Sequence, residues 1–374
     1  MISKLLRPED EHMVESAQNK YLGMLLGTLT GDCLGLPYES LSPRMKKKIY
    51  GQDIEHNFIH IPFFCRLNIC SDDTEHAWIT AVALYDAKGN GVDCFARSLA
   101  QKLRVWLLTF PIGIGKATLI SCFKLLIGKD YSNSGVYSAG NGAAIRALVI
   151  GAFYSKNTAL MLQAVQASTI MTHTDQKAYE ASIVMALAAA TAINTTTGRV
   201  PISSFFNAAF SLIKGEELSR FLLLAQNNLH AHSTLDEYLN EISISETGVS
   251  GYINHTVPAV IYCWLRYYGD YNTTVSHIIA AGGDTDTTAA LAGGLSGLTV
   301  GVNGIPKEWL NDACSWPLRH VHWIKLCQAL SGNACAEVPK PCNLLFLCRN
   351  IMCIPIFGIH IVRRIINYIL PPWK

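Results

Sequence analysis

Charge is scarce in this 374-residue chain: Asp, Glu, Lys and Arg together make only 16% of it, against 50% hydrophobic residues. A chain this apolar has the material for a sizeable core, and disorder over most of its length is excluded. The formal net charge is only +2, so no electrostatic footprint for nucleic acid is present and no nucleic-acid partner is expected. None of the 12 cysteines forms a C-x-x-C pair, which argues against a zinc site. Residues 1–20 are polar, with no apolar stretch of the secretory type. The expected setting is therefore cytoplasmic, with thiols kept reduced. Runs of alternating strand character are few, and no internal repeat or low-complexity tract is present.

What is there reads as helices. Small and apolar residues recur at helical spacing over 20–36, 73–87, 94–108, 177–194, 254–268 and 286–300. The run from Ile183 to Ile193 is uncharged and rich in alanine, as expected of a buried helix. Glycine-rich breaks near 111–115, 132–142 and 282–283 divide the helices. One all-α domain is the simplest arrangement, with a body over residues 1–337 and a separate tail over 338–374.

Charge divides along the same line. The tail holds five basic residues (Lys340, Arg349, Arg363, Arg364 and Lys374) and no acid, so the body carries a net −3. Residues 343–370 are dominated by Leu, Ile, Val, Met and Phe. Pro355 and Gly358 interrupt that run, so an unbroken transmembrane helix is not expected. Two alternatives stay open: a helix packed back on the body, or a bent interfacial segment at a membrane with Arg363 and Arg364 at the headgroups. Cys342, Cys348 and Cys353 are candidate acylation sites in the second case.

Three segments place acids and hydroxyls where an apolar helix has no need of them: Gly31-Asp32 with Gly35 and Glu39, Ser71-Asp72-Asp73-Thr74, and Gly282-Gly283-Asp284-Thr285-Asp286-Thr287-Thr288. One carboxylate or hydroxyl at a helix start is an ordinary cap. A second carboxylate is surplus to capping, and adjacent carboxylates repel unless a cation lies between them. An all-oxygen donor set suits a hard cation such as Mg²⁺ or Mn²⁺. Glu39, beside such a cluster, becomes a candidate general acid or base. The turn Tyr137-Ser138-Ala139-Gly140-Asn141-Gly142 has the backbone of an anion nest, or of an ordinary loop. Thr172-His173 opens toward the buried helix, where a lone His is usually structural.

Taken in order, these segments form a set: Gly31-Asp32-x-x-Gly35-x-x-x-Glu39, Ser71-Asp72-Asp73-Thr74, Asn141-Gly142-Ala143-Ala144-Ile145-Arg146, Thr172-His173, Ser250-Gly251-Tyr252, Gly283-Asp284-Thr285-Asp286-Thr287 and Ile305-Pro306-x-x-Trp309. The set resembles the ADP-ribosylglycohydrolases, from about residue 20 to 310. The resemblance implies an orthogonal helical bundle with a binuclear metal cleft holding two Mg²⁺ (or Mn²⁺), and a glycosidic-bond hydrolase acting on ADP-ribosylated protein. It implies metal ligands at Ser71, Asp72, Asp73, Asp284, Asp286 and Thr287, and catalytic roles for Glu39 and metal-bound Asp73. It further implies substrate contacts from Ser138, Gly140, Asn141 and His173. Ser71 stands where many members have Thr, Asp175-Gln176 follows Thr174 where many bacterial members have His-Pro, and Ala139 stands where some relatives have Tyr. The first keeps the hydroxyl oxygen and is tolerated; the last two touch the choice of target, not the reaction class. A catalytically inactive ADP-ribose binder and a hydrolase of a small ADP-ribose conjugate are the alternatives.

Overall fold

The structure is a computed structural model that describes residues 16–51, 60–61, 65–195, 198, 202–332 and 336–370. Seventeen α-helices dominate the described residues. In chain order they are α1 (Ser16–Gly35), α2 (Pro43–Tyr50), α3 (Asp72–Asp86), α4 (Gly91–Leu107), α5 (Lys116–Leu126), α6 (Gly142–Phe153), α7 (Thr158–Ile170), α8 (Gln176–Asn194), α9 (Ile202–Leu212), α10 (Glu216–His230), α11 (Leu235–Glu241), α12 (Ile253–Arg266), α13 (Tyr271–Ala280), α14 (Thr285–Val300), α15 (Lys307–Asp312), α16 (His320–Leu330) and α17 (Asn343–Ile369). Three short strands, β1 (His60–Ile61), β2 (Cys65–Ile69) and β3 (Ala313–Cys314), form one sheet in that order, antiparallel and then parallel. The six helices expected from residue spacing are all present, with ends displaced by a few residues at most.

The bundle is organised around α1 and α14. Gly23, Gly27, Gly31 and Gly35 recur every fourth residue, so they fall on one side of α1. A β-carbon on them would meet, in turn, the backbone oxygens of Gly297, Gly293, Ala289 and Thr285 at 2.3, 2.3, 2.0 and 2.1 Å. The fit is reciprocal, since a β-carbon on Gly293 or Gly297 would meet the Gly27 or Gly23 oxygen at 2.3 or 2.0 Å. The two backbones touch because neither has a side chain in the way. This seam aligns the end of α1, where the first acidic segment lies, with the start of α14, where the third lies.

Around this pair, α6, α8 and α12 are buried along almost their whole length. The uncharged alanine run of α8 is core, as its composition predicts: small side chains let α6 approach closely, with Gly151 against the Ala186 backbone.

The tail differs from its expected form in one respect. α17 runs unbroken through Pro355 and Gly358 for 27 residues. A proline inside a helix removes one N–H donor, but Pro355 is exposed and so is Ile351 four residues before it. The residue whose carbonyl loses its partner is therefore an exposed one. α17 packs on the body through one face: Phe346, Arg349, Asn350, Cys353, Ile356 and His360 are buried. Cys353 and Ile356 share a small apolar cluster with Leu36 and Ile69. Burial removes Cys353 from the candidate acylation sites, while Cys342 and Cys348 are exposed.

Candidate active site

Each acidic segment is tied to its neighbours by specific bonds. Asp32, fully buried near the end of α1, accepts from the backbone N–H of Ser71 through both oxygens (2.9 and 3.0 Å), and from the Thr74 N–H and hydroxyl at 3.1 and 2.5 Å. These bonds fix the first turn of α3 against α1. Burial nonetheless outweighs them and raises the Asp32 pKa to about 6. Ser71 is the N-cap, its hydroxyl accepting from the Asp73 N–H at 3.2 Å. Asp72 and Asp73 are therefore left over from capping. A β-carbon on Gly113, held at φ +91°, would meet the Asp72 carboxylate at 2.8 Å, so the 111–115 break closes over that side chain.

The second acidic helix start is set by the glycine pair. Gly282 and Gly283 have φ of +69° and +88°, a conformation that only glycine adopts readily. In it, Gly283 donates to the Leu41 carbonyl and its own carbonyl accepts from Ser40, both at 2.7 Å. Asp284 N–H donates to Val249 at 2.7 Å. These bonds hold the loop bearing Glu39 beside Asp284. Asp284 makes no side-chain capping bond; its carboxylate accepts instead from Asn141 Nδ2 at 2.9 Å.

All three segments thus meet at one place. Burial first, then the neighbouring carboxylates, raises the pKa of Glu39, Asp72, Asp73 and Asp286, the last three strongly. Asp284 contributes to the shift of each of the four. Thr287 lies near enough to Asp73 to offset part of that rise, so the two helix starts adjoin there. Buried Asp286 Oδ1 has no hydrogen-bond partner. A buried, unsatisfied oxygen amid like charges is costly, and a cation is the group that relieves both costs. The donors are carboxylates and hydroxyls, which fits Mg²⁺ or Mn²⁺. Among the described residues, no group of three or more Asp, Glu, His or Cys side chains stands close enough together to hold a metal ion as placed.

Over the acids lies the 138–142 turn. Ser138 Oγ accepts from the Gly140 N–H at 3.2 Å. Gly140 faces His173, whose Nε2 would lie 3.1 Å from a β-carbon there. His173 is buried, its Nδ1 is 2.8 Å from the Thr172 hydroxyl, and burial followed by the Arg146 charge lowers its pKa to about 3. It is a neutral ring at physiological pH and takes no proton there. Asp175, two residues on, is the actual N-cap of α8.

Some of what holds the site was not assigned from the sequence. Asp32 stood in the first motif without a role. Asn141 was assigned to substrate, yet its side chain holds Asp284 and Thr256 (3.0 Å). Fully buried Arg146 binds Ser168, Thr172 and the Gly142 carbonyl beneath the turn. The Gly-x-x-x-Gly spacing was the available signal for the seam; Asn141 and Arg146 stood in a motif of the set, but nothing in it recorded these partners.

The family model for ADP-ribosylglycohydrolase matches residues 13–334. The chain belongs to the ADP-ribosylglycohydrolase family. It is 28% identical to the ADP-ribosyl-dinitrogen-reductase glycohydrolase of Rhodospirillum rubrum over 306 residues, 79% of this chain and 90% of that protein. It is 26% identical to human ADP-ribosylhydrolase ARH3 over 330 residues, 78% of this chain and 88% of the other. In fold it is similar to a solved ADP-ribosylglycohydrolase-related protein complex, with a TM-score of 0.62 at 20% identity, covering 85% of this chain and 99% of that one. Within the family the helical bundle is the shared framework, and the family match ends before α17 begins.

Proposed function

We propose that this family member hydrolyses the glycosidic bond between the distal ribose of ADP-ribose and a modified protein side chain, with two Mg²⁺ or Mn²⁺ ions bound at the acidic cleft. The observation that supports it most is the meeting of Glu39 with two surplus-carboxylate helix starts around an unpartnered Asp286 oxygen. Ser71, Asp72 and Asp73 would hold cations from one side, and Asp284, Asp286 and Thr287 from the other. Bound there, the ions supply positive charge that polarises ribose oxygens and a nearby water.

The protein's own groups do the rest. The Ser138 hydroxyl and the N–H groups at the start of the Ser138–Asn141 turn would take the diphosphate, since Gly140 N–H is already on Ser138 Oγ and Asn141 N–H on the Gly251 carbonyl; neutral His173 packs behind them. Breaking the C1 bond leaves an oxocarbenium-like centre, and the surrounding carboxylates stabilise its positive charge in a site of low polarity. Glu39 takes a proton from the attacking water, whose oxygen bonds to C1 as the bond from C1 to the side chain breaks, and Glu39 then passes that proton to the leaving side chain. Asp73, next to the reacting ribose, orients that water.

Cation binding is the test. Mn²⁺ titrated into the full chain by calorimetry is expected to bind, and Asp284→Asn or Asp286→Asn is expected to weaken it about tenfold or more, since an amide lacks the carboxylate charge. EDTA is expected to abolish hydrolysis and Mg²⁺ to restore it. Undiminished turnover in a metal-stripped sample, or wild-type Mn²⁺ affinity in both variants, would overturn the assignment.

A further inference from the structure

The usual order of an amphipathic helix is reversed in α17. Its polar residues point inward: Arg349 pairs with buried Glu75, Asn350 donates to the Thr109 carbonyl at 2.8 Å, His360 reaches the Pro37 carbonyl at 3.2 Å and Arg364 donates to the Glu39 carbonyl at 2.8 Å. Apart from Phe346, Cys353 and Ile356, which are buried, most of its apolar residues point outward. Ile354, Ile359, Ile361, Val362, Ile365 and Ile369 are each more than half exposed. A contiguous outward apolar face of this size marks an interaction surface.

The charges around it indicate what the surface meets. Arg363 is exposed on α17. Lys47 and Lys48 are exposed on neighbouring α2, and Lys48 Nζ sits 3.7 Å from the centre of the Tyr368 ring. The described part of α17 holds no acid. A second copy of the same face would bring apolar and basic groups but no counter-charge. An anionic lipid surface supplies both an apolar layer and the negative charge.

By length and composition α17 could also cross a membrane. Its inward polar face excludes that placement for the folded protein, because a span would pull Arg349, Asn350, His360 and Arg364 from their partners. We propose that α17 is an interfacial docking helix: it lies in the plane of an anionic lipid surface with its outer face buried in the acyl boundary and its inner face on the body. Lys47, Lys48 and Arg363 rest at the headgroups, where each basic residue is worth about fivefold in affinity. The inner face also rests on the carbonyls of Pro37 and Glu39, so the docked helix forms the back of the catalytic loop.

Vesicle flotation of the full chain tests this, and it reads binding without any need for hydrolysis. The chain is expected to float with vesicles of phosphatidylcholine and phosphatidylserine, and more weakly with phosphatidylcholine alone. I354E/I361E/I365E, three exposed positions, is expected to keep the helical circular dichroism and lose flotation at least tenfold; K47E/K48E is expected to lose about 25-fold or more. The proposal is overturned if the full chain stays at the bottom with both vesicle types. It is also overturned if flotation ignores lipid charge, or if light scattering shows a dimer in solution that the triple variant dissolves.

Discussion

Glu39→Gln is expected to lower the rate of ADP-ribose release by about 10²- to 10⁴-fold, the range typical of losing a general acid–base group. Glutamine keeps the size and the hydrogen-bonding shape but takes no proton from water. The fold is expected to survive, because the Glu39 loop is held by backbone groups: Ser40 N–H on the Gly283 carbonyl, and the Glu39 carbonyl on Arg364. ADP-ribose affinity measured by calorimetry is expected to stay at the wild-type value. A variant that keeps its rate, or one that loses ADP-ribose binding with its rate unchanged, removes Glu39 from the chemistry.

Arg349→Ala is expected to cost about 3–5 kcal/mol of stability in urea unfolding, the range for breaking a buried ion pair by removing one partner. Glu75 sits in the first turn of α3, next to the Asp72-Asp73 pair, and it is buried. It keeps a bond from Trp106 Nε1 in the variant but loses its only salt-bridge partner among the described residues. The uncompensated charge then lies one helical turn from the cluster that holds the most buried acids. R349M combined with E75Q is expected to recover most of the loss, because no buried charge is left unpaired. A loss below about 1 kcal/mol for the single variant, the range of an exposed surface pair, would mean that the pair is solvated and that the tail helix contributes little to the body.

The helices of the body were legible in the sequence because their burial follows residue spacing. Asp72-Asp73 and Asp284-Asp286 were legible as well, since two carboxylates at one helix start exceed what capping needs. The contacts between distant segments were not. Asp32 bonds residues 39 and 42 positions away, and Asn141 reaches Asp284 across 143; no local pattern records such pairings. The course of α17 was misjudged at Pro355 and Gly358 for a related reason. A proline breaks a helix when the carbonyl it orphans has no other partner, and here both Pro355 and Ile351, four residues before it, are exposed to water. Which face of the tail would be buried was equally hidden, since its few polar residues serve the body and most of its aliphatic ones do not.

Hydrolysis at the acidic cluster is tested most directly by release of free ADP-ribose. Proteins or peptides carrying arginine-linked and serine-linked ADP-ribose are incubated with the full chain and Mg²⁺ or Mn²⁺, beside Asp286→Asn as the control. The expected result is metal-dependent release from at least one linkage by the wild-type chain, abolished by EDTA and by the Asp286 substitution. The contradicting result is ADP-ribose binding with no release from either linkage under any metal, which is the behaviour of an inactive binding protein built on the same fold.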